Sequence, residues 1–246
     1  MGRSNYAYGM LRAADLAHYF GAKETTVIEF GVASGAGLLN LIELGEMITA
    51  ETGVRFRVVG FDTGTGLPTV SGYRDHAELW MPGDFAMEGS EELLERLGGR
   101  AELVLGDIAH TIVPFMETLS RVAPIGFVSV DVDIYTATKS ALKILGGPPE
   151  MYVPAVSMYF DDVSFYFANE WCGELLAIRE FNAEHELRKI GPDRSLPGRR
   201  KTADSPWHRQ MFACHILDHH ARNEARDRND LSIGDHHRHM SANFLY

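Results

Sequence analysis

Residues 26–62 read TVIEFGVASGAGLLNLIELGEMITAETGVRFRVVGFD, and this stretch decides the fold. It opens with the apolar run TVIEFG, which is typical of a buried strand, and closes with a second such run, RFRVVGFD. Between them, AGLLNLIELGEMITAETG has the apolar spacing of an amphipathic helix. The order strand, glycine-rich loop, helix, strand predicts the first unit of a parallel α/β sheet.

Strand and helix patterns continue to alternate along the rest of the chain. Further helices are predicted at residues 6–20, 90–99 (with Ser90 as N-cap), 110–122, 136–147 and 173–185, and further strands at 101–107, 125–133, 155–162, 186–191 and 209–217. Such alternation is typical of a doubly wound, mostly parallel sheet, in which ligands bind outside the carboxyl ends of the strands. We predict a single domain over residues 1–246, with a helical extension at 1–22, a lid loop at 66–90 and a polar tail at 222–246.

The composition restricts the class of protein. Of the 246 residues, 45% are hydrophobic and 23% are charged, which is typical of a globular protein. The formal net charge of −11 disfavours nucleic acid as a partner, and the one tight basic cluster, residues 199–201, reads as a solvated loop. Two cysteines, no secretory signal pattern and no apolar run of bilayer length predict a cytoplasmic protein with no membrane partner.

The glycine loop after the first strand indicates the kind of cofactor. Its spacing is G-x-x-x-G-x-G, which differs from the G-x-G-x-x-G of nicotinamide-binding folds. Glu29 precedes it and would repel a pyrophosphate, but could accept from the ammonium group of an amino acid, which favours S-adenosylmethionine over NAD. Asp62, at the end of the next strand, could accept from paired ribose hydroxyls, and Asp107 would lie near an adenine ring or cap a helix. The cofactor-binding candidates are Glu29, Gly31, Ser34, Gly35, Gly37, Asp62, Thr63, Gly106 and Asp107.

Paired acids follow two further strands. In VSVDVD, strand alternation would put Asp131 and Asp133 on one face, where two carboxylates repel unless a cation, a proton or a polar ligand lies between them. Asp161 and Asp162 end the following strand, so the carboxylates of Asp131, Asp161 and Asp162 should reach one ion. All-oxygen ligands favour Mg²⁺ or a similar hard cation. The alternative is that these acids only cap helices and turns.

A resemblance to a known family rests on these same blocks. Asp62 followed by Gly66-Leu67-Pro68, the Asp131-x-Asp133-x-Tyr135 sequence and the Asp161-Asp162 pair follow in order the motifs of class I S-adenosylmethionine-dependent methyltransferases. The chain most resembles the macrocin-type sugar O-methyltransferases, over about residues 25–185. The resemblance implies a seven-stranded sheet with a reversed last strand and metal-assisted methylation of a hydroxyl group.

The leading prediction is therefore an O-methyltransferase that uses S-adenosylmethionine and a divalent cation on a hydroxyl of a small molecule, such as a sugar or natural product. A cation that binds the acceptor oxygen would lower its pKa and orient it. Asp133 and Asp131 are the catalytic candidates. Asp133 is the candidate base, with an outer-shell role as the alternative, and His110 is a weaker candidate. The other readings are a non-catalytic adenosyl-ligand-binding protein and an NAD-linked oxidoreductase. Fold analogy alone suggests a homo-oligomer, and His236, His237 and His239 are a weak metal motif.

Overall fold

The computed structural model describes residues 3–196 and 205–224 and contains one seven-stranded sheet flanked by helices. The strands are β1 (Glu24–Phe30), β2 (Arg55–Asp62), β3 (Glu102–Leu105), β4 (Ile125–Val130), β5 (Tyr152–Phe160), β6 (Arg188–Pro192) and β7 (Met211–Ile216). The helices are α1 (Ser4–Tyr19), α2 (Ala36–Thr52), α3 (Ser90–Leu97), α4 (Ile108–Met116), α5 (Tyr135–Ala141) and α6 (Gly173–Glu184), with short 3₁₀ turns between some elements.

The strand order is β3-β2-β1-β4-β5-β7-β6. Strands β3, β2, β1, β4 and β5 pair in parallel, whereas β7 runs antiparallel to both β5 and β6. The predicted doubly wound, seven-stranded sheet with one reversed strand is therefore confirmed. The order changes direction between β1 and β4, and this switch point is where open α/β sheets bind their ligands.

Alternating side chains of the central strands cover both faces of the sheet. Val27 and Phe127 pack with α1, α2 and α3 on one face, whereas Ile28, Phe30 and Val128 pack with α4, α5 and α6 on the other. All six residues of β4 are buried. Burial on both faces explains why these strands read as continuous apolar runs, as in other parallel sheets.

Several predicted boundaries need correction. β4 ends at Val130, so Asp131 and Asp133 lie in the loop that follows, and strand alternation is the wrong reason for their proximity. α4 begins at Ile108, because the Asp107 side chain caps it, and it ends at Met116 rather than continuing to 122. Ser90 is the first residue of α3, and Gly89 rather than Ser90 is its N-cap.

Two predicted features lie outside the described residues. The basic cluster at 199–201 and the histidines His236, His237 and His239 fall in the segments that the structure does not describe. Of the predicted tail at 222–246, only the first residues are described, and there Arg222 donates to the carbonyl oxygen of Pro154. Within residues 3–196 and 205–224, none of the helices combines the length and the apolar character that a bilayer crossing requires.

Candidate active site

A cavity of about 620 Å³ opens at the carboxyl ends of the parallel strands, beside the switch point. A volume of this size is typical of small-molecule sites. Its walls come from the loops after β1, β2, β3, β4 and β5, and the long loop after β2 contributes residues as far as Phe85. The predicted site residues that line it are Gly31, Asp62, Thr63, Asp107, Asp131, Asp133, Asp161 and Asp162.

The glycine loop is held in place by Asp62. One oxygen of this carboxylate accepts from the backbone N–H groups of Val32 and Ala33 at 2.9 and 2.8 Å, and the other accepts from Gly64 N–H at 2.7 Å. Gly31 has φ 89°, and a Cβ there would lie 1.7 Å from the carbonyl oxygen of Asp131. The first strand end therefore approaches the fourth so closely that only glycine fits.

Glu29 lies behind this loop and is 1% exposed. The Tyr6 hydroxyl of α1 donates to its Oε1 at 2.6 Å, whereas its Oε2 is buried without a hydrogen-bond partner among the described residues. Burial raises the pKa of Glu29 to about 8, although the Tyr6 hydrogen bond and the Arg3 charge oppose the shift. A Cβ on Gly37 would lie 1.8 Å from Glu29 Oε1, so this glycine makes room for the buried carboxyl.

The structure does not bring all predicted cofactor residues to the cavity wall. Of the described candidates, Glu29, Ser34, Gly35, Gly37 and Gly106 are not among its lining residues. Their direct contact with a cofactor stays a prediction. Asp107 lines the cavity and also accepts from Ala109 N–H at 2.8 Å, so it caps α4, as one of its two sequence readings expected.

Three carboxylates meet at the ends of β4 and β5. Asp131, Asp161 and Asp162 each offer one oxygen, and these atoms lie within 4.8 Å of one another. Backbone hydrogen bonds hold these strand ends side by side. Asp131 N–H donates to Phe30 O and ties the end of β4 to β1, and Asp161 N–H donates to Val130 O and ties the end of β5 to β4. Asp162 Oδ2 is buried without a partner in the described part of the chain.

The electrostatics of these acids fit a cation. Burial and the charges of Asp161 and Asp133 raise the pKa of Asp131 to about 7. Burial and the surrounding aspartates, first Asp133, raise the pKa of Asp162 to about 8. A divalent ion would relieve this repulsion, and an all-carboxylate donor set with a partnerless buried oxygen suits a hard cation such as Mg²⁺.

Asp133 faces the same cavity from the loop between β4 and α5. It has φ 61°, a left-handed conformation that aspartate tolerates better than most residues. Burial, together with the charges of Asp161 and Asp84, raises its pKa to about 6. His110, the weaker candidate base, has a side chain that is 85% exposed and is not among the described residues that line the cavity.

The segment 66–90 covers one side of the cavity with Trp80, Asp84 and Phe85. Its base is anchored by the buried Asp75, which accepts from Ser71 N–H and from Thr136 N–H of α5, each at 2.9 Å. The segment is thus tied to the helix that follows Asp133. Its assignment as a lid stays a prediction.

Sequence reasoning missed the residues that support the acids. The Tyr159 hydroxyl donates to Asp161 Oδ1, and the Gln210 side chain donates to Asp161 O at 2.6 Å. Glu174 at the start of α6 accepts from Asp162 N–H at 2.8 Å. Tyr159 lies within β5 and Gln210 immediately precedes β7. Nothing in the sequence around either residue indicates that it holds Asp161. Glu174 carries no specific signal either, because an acidic residue is common in the first turn of a helix.

Comparisons with known proteins agree with this architecture. No protein-family profile matches the sequence, and no curated protein matches it. Among solved structures, the chain is similar to CalS11, described as a calicheamicin methyltransferase, with a TM-score of 0.57 and 22% identity over 86% of this chain and 78% of that chain. It is also similar to the O-methyltransferase NovP, with a TM-score of 0.52 and 16% identity over 73% of this chain and 72% of that chain. With its strand order and its single reversed strand, the chain has the fold of the class I methyltransferases.

Proposed function

We propose that this protein is an S-adenosylmethionine-dependent, metal-assisted O-methyltransferase that acts on a hydroxyl of a small molecule. The observation that carries the proposal is the convergence of Asp131, Asp161 and Asp162 beside Asp133, at the edge of the cavity that the glycine loop borders. The fold similarity to CalS11 and NovP supports methyl transfer, and the name of NovP supports an oxygen acceptor.

The adenosyl cofactor would lie along the glycine loop and the ends of β2 and β3. Gly31 allows close approach of the backbone, and Asp107 and Thr63 line the side where an adenosine would extend. Both Asp62 oxygens already hold backbone N–H groups, so Asp62 shapes the loop and keeps some lone-pair capacity for a ribose hydroxyl. When bound, the cofactor supplies an electrophilic methyl group.

A divalent cation would be held by Asp131, Asp161 and Asp162, where it would supply Lewis acidity and orientation to the acceptor oxygen. The protein's own part is to keep the three carboxylates together and to exclude water beneath the segment 66–90. Asp133 lies beside them in the cavity and would take the hydroxyl proton. Its raised pKa, about 6, is closer to neutrality than that of an ordinary aspartate, as suits a general base.

The charge of the cavity favours some acceptors over others. Among the described residues that line it, seven are aspartates and none is lysine, arginine or histidine. Even with a divalent cation on three of these aspartates, such a wall disfavours a phosphate group on the acceptor. We propose a neutral or amino-bearing polyhydroxylated acceptor, such as a sugar of a natural product, packed against Trp80 and Phe85. We also propose a cytoplasmic, single-domain protein, paired as a homo-oligomer by fold analogy.

The test combines calorimetry with an activity screen. We expect S-adenosylhomocysteine to bind, and neutral glycosides to be methylated in the presence of Mg²⁺ far better than their phosphorylated counterparts. Asp162→Asn and Asp133→Asn should abolish turnover while S-adenosylhomocysteine still binds. Asp218→Asn is the matched control, because Asp218 pairs with Arg188 just after β7, at the opposite edge of the sheet.

Three results would contradict the proposal. If S-adenosylhomocysteine fails to bind at millimolar concentration, the cofactor assignment is wrong. If it binds but no acceptor is methylated, a non-catalytic adenosyl-ligand-binding protein becomes the better description. If nicotinamide nucleotides bind instead, the oxidoreductase reading prevails.

A further inference from the structure

Glu174 is a carboxyl group in the protein interior for which the proposed reaction has no direct use. It lies in the first turn of α6 and is 1% exposed. Its Oε2 accepts from Asp162 N–H at 2.8 Å, and its Oε1 is buried without a partner among the described residues. Burial of a polar group with incomplete hydrogen bonding is costly, so an apolar residue would suit this helix better unless Glu174 has a specific task.

Glu174 accepts from a backbone N–H group that has no acceptor within the sheet, because it lies beyond the end of β5. Phe160 N–H donates to Gln210 O, and Asp161 N–H donates to Val130 O on β4. β5 ends at Phe160, and Asp162 N–H turns away from the sheet toward α6, where Glu174 receives it. Burial, together with the charge of Asp162, raises the pKa of Glu174 well above its ordinary value, so the acceptor is an oxygen of a carboxyl that favours its neutral form.

Each of the two neighbouring acids at this strand end therefore has its own support. Asp161 is held by Tyr159 and by Gln210, which fix its carboxylate and its carbonyl. Asp162 is held at its backbone by Glu174, while its Oδ2 has no hydrogen-bond partner among the described residues. Glu174 itself is not part of the group whose oxygens lie within 4.8 Å of one another. Glu174 contacts the backbone of Asp162, whereas the candidate cation site is formed by the side chains of Asp131, Asp161 and Asp162.

We propose that Glu174 is a positioning residue that holds Asp162 in the orientation in which its carboxylate takes a divalent cation. The inference rests on the cation site of the proposed function. Outer-shell partners of metal ligands typically contribute 10- to 100-fold to metal affinity.

The experiment measures binding of Mn²⁺ by electron paramagnetic resonance, and of S-adenosylhomocysteine by calorimetry, in the full-length chain. Glu174→Met and Glu174→Ala both remove the acceptor for Asp162 N–H, and Glu174→Gln keeps an acceptor oxygen at the same place. Glu184→Met is the matched control, because Glu184 lies on the same helix but is exposed and paired with Lys139. Two acceptor-free variants are included so that at least one is expected to fold, as checked by circular dichroism.

We expect Glu174→Met or Glu174→Ala to weaken Mn²⁺ binding by about 10-fold or more, and to change the spectrum of bound Mn²⁺ at saturation. Glu174→Gln should stay within about 3-fold of the wild type, as expected where the hydrogen bond is kept. S-adenosylhomocysteine affinity should not change in any of them.

The outcomes separate this inference from the proposed function. Wild-type Mn²⁺ affinity and an unchanged spectrum in a folded acceptor-free variant would overturn the positioning role and leave the proposed function intact. A Glu174→Gln protein as weak as Glu174→Met would also overturn it, because the kept acceptor would then be without effect. If the wild type binds S-adenosylhomocysteine but no Mn²⁺, the metal part of the proposed function fails, and the positioning role fails with it.

Discussion

Replacing Glu29 with glutamine should make the protein more stable at neutral pH, by an amount that grows as the pH rises. Glu29 is fully buried at the end of β1, and burial raises its pKa to about 8. Glutamine has nearly the same shape, stays neutral at every pH, and offers a carbonyl oxygen to the Tyr6 hydroxyl. The substitution therefore mimics the protonated carboxyl that the folded protein prefers.

The magnitude follows from the difference between the folded and unfolded pKa. Between an unfolded value near 4.5 and the folded value of about 8, the folded chain keeps the Glu29 proton that the unfolded chain has lost. Its stabilising effect is fully present below the unfolded pKa and is lost as the pH rises through the folded one. Within that window, the wild type loses ~1.4 kcal/mol per pH unit from this group, so Glu29→Gln should gain ~2.7 kcal/mol relative to it between about pH 5.5 and about pH 7.5.

Urea unfolding of both proteins across this pH range is the assay, since groups common to both cancel in the difference. In thermal unfolding, the same change corresponds to a relative shift of roughly 5–11 °C for a chain of this size. A difference that stays constant with pH would show that Glu29 is ionised in the folded protein and would refute the reasoning.

Tyr6→Phe is a second variant that tests the same explanation. It removes the donor that lowers the pKa of Glu29, so the loss of stability should extend to higher pH.

Three further substitutions test the loops around the cavity. Asp62→Ala leaves three backbone N–H groups without their acceptor, at ~1–3 kcal/mol for each that stays unsatisfied, and should weaken S-adenosylhomocysteine binding together with the urea midpoint. Gly31→Ala places a Cβ 1.7 Å from Asp131 O, so we expect little folded protein by circular dichroism. Asp75→Ala frees Thr136 N–H and the base of the segment 66–90, and should raise proteolytic cleavage within that segment while Mn²⁺ affinity is kept.

Much of the fold could be predicted from the sequence because the central strands are buried on both faces. The predicted β2, RFRVVGFD, agrees with the observed strand, and α2 ends just before Gly53, which adopts the left-handed conformation that closes a helix. The predictions failed at strand and helix ends. There, one side-chain hydrogen bond or one residue of positive φ decides the boundary, as at Asp107 and Asp133.

The candidate site could be predicted in part for the same reason. Parallel strands bring their carboxyl ends to one edge, so acids that follow β4 and β5 had to approach one another. What a sequence cannot show is which backbone groups these acids hold. Asp62 was expected to face a ribose, but its oxygens also fix the glycine loop. Glu29 was expected to face the cofactor, but its carboxyl accepts a hydrogen bond from the Tyr6 hydroxyl of α1. Such contacts depend on residues far apart in the chain.

Removing residues 1–22 should unfold the protein, because buried side chains of α1 are part of the core. Tyr6 and Met10 are 0% exposed, and Gly9 packs so closely that a Cβ there would lie 2.3 Å from the Phe127 ring of β4. Loss of the two large side chains alone costs ~1.5–3 kcal/mol each, and Glu29 would lose its hydrogen bond. Circular dichroism and gel filtration of the truncated chain should show a loss of cooperative unfolding. If the truncated protein is folded and monodisperse, β4 and β5 are stable without α1 packed against them, and the prediction is wrong.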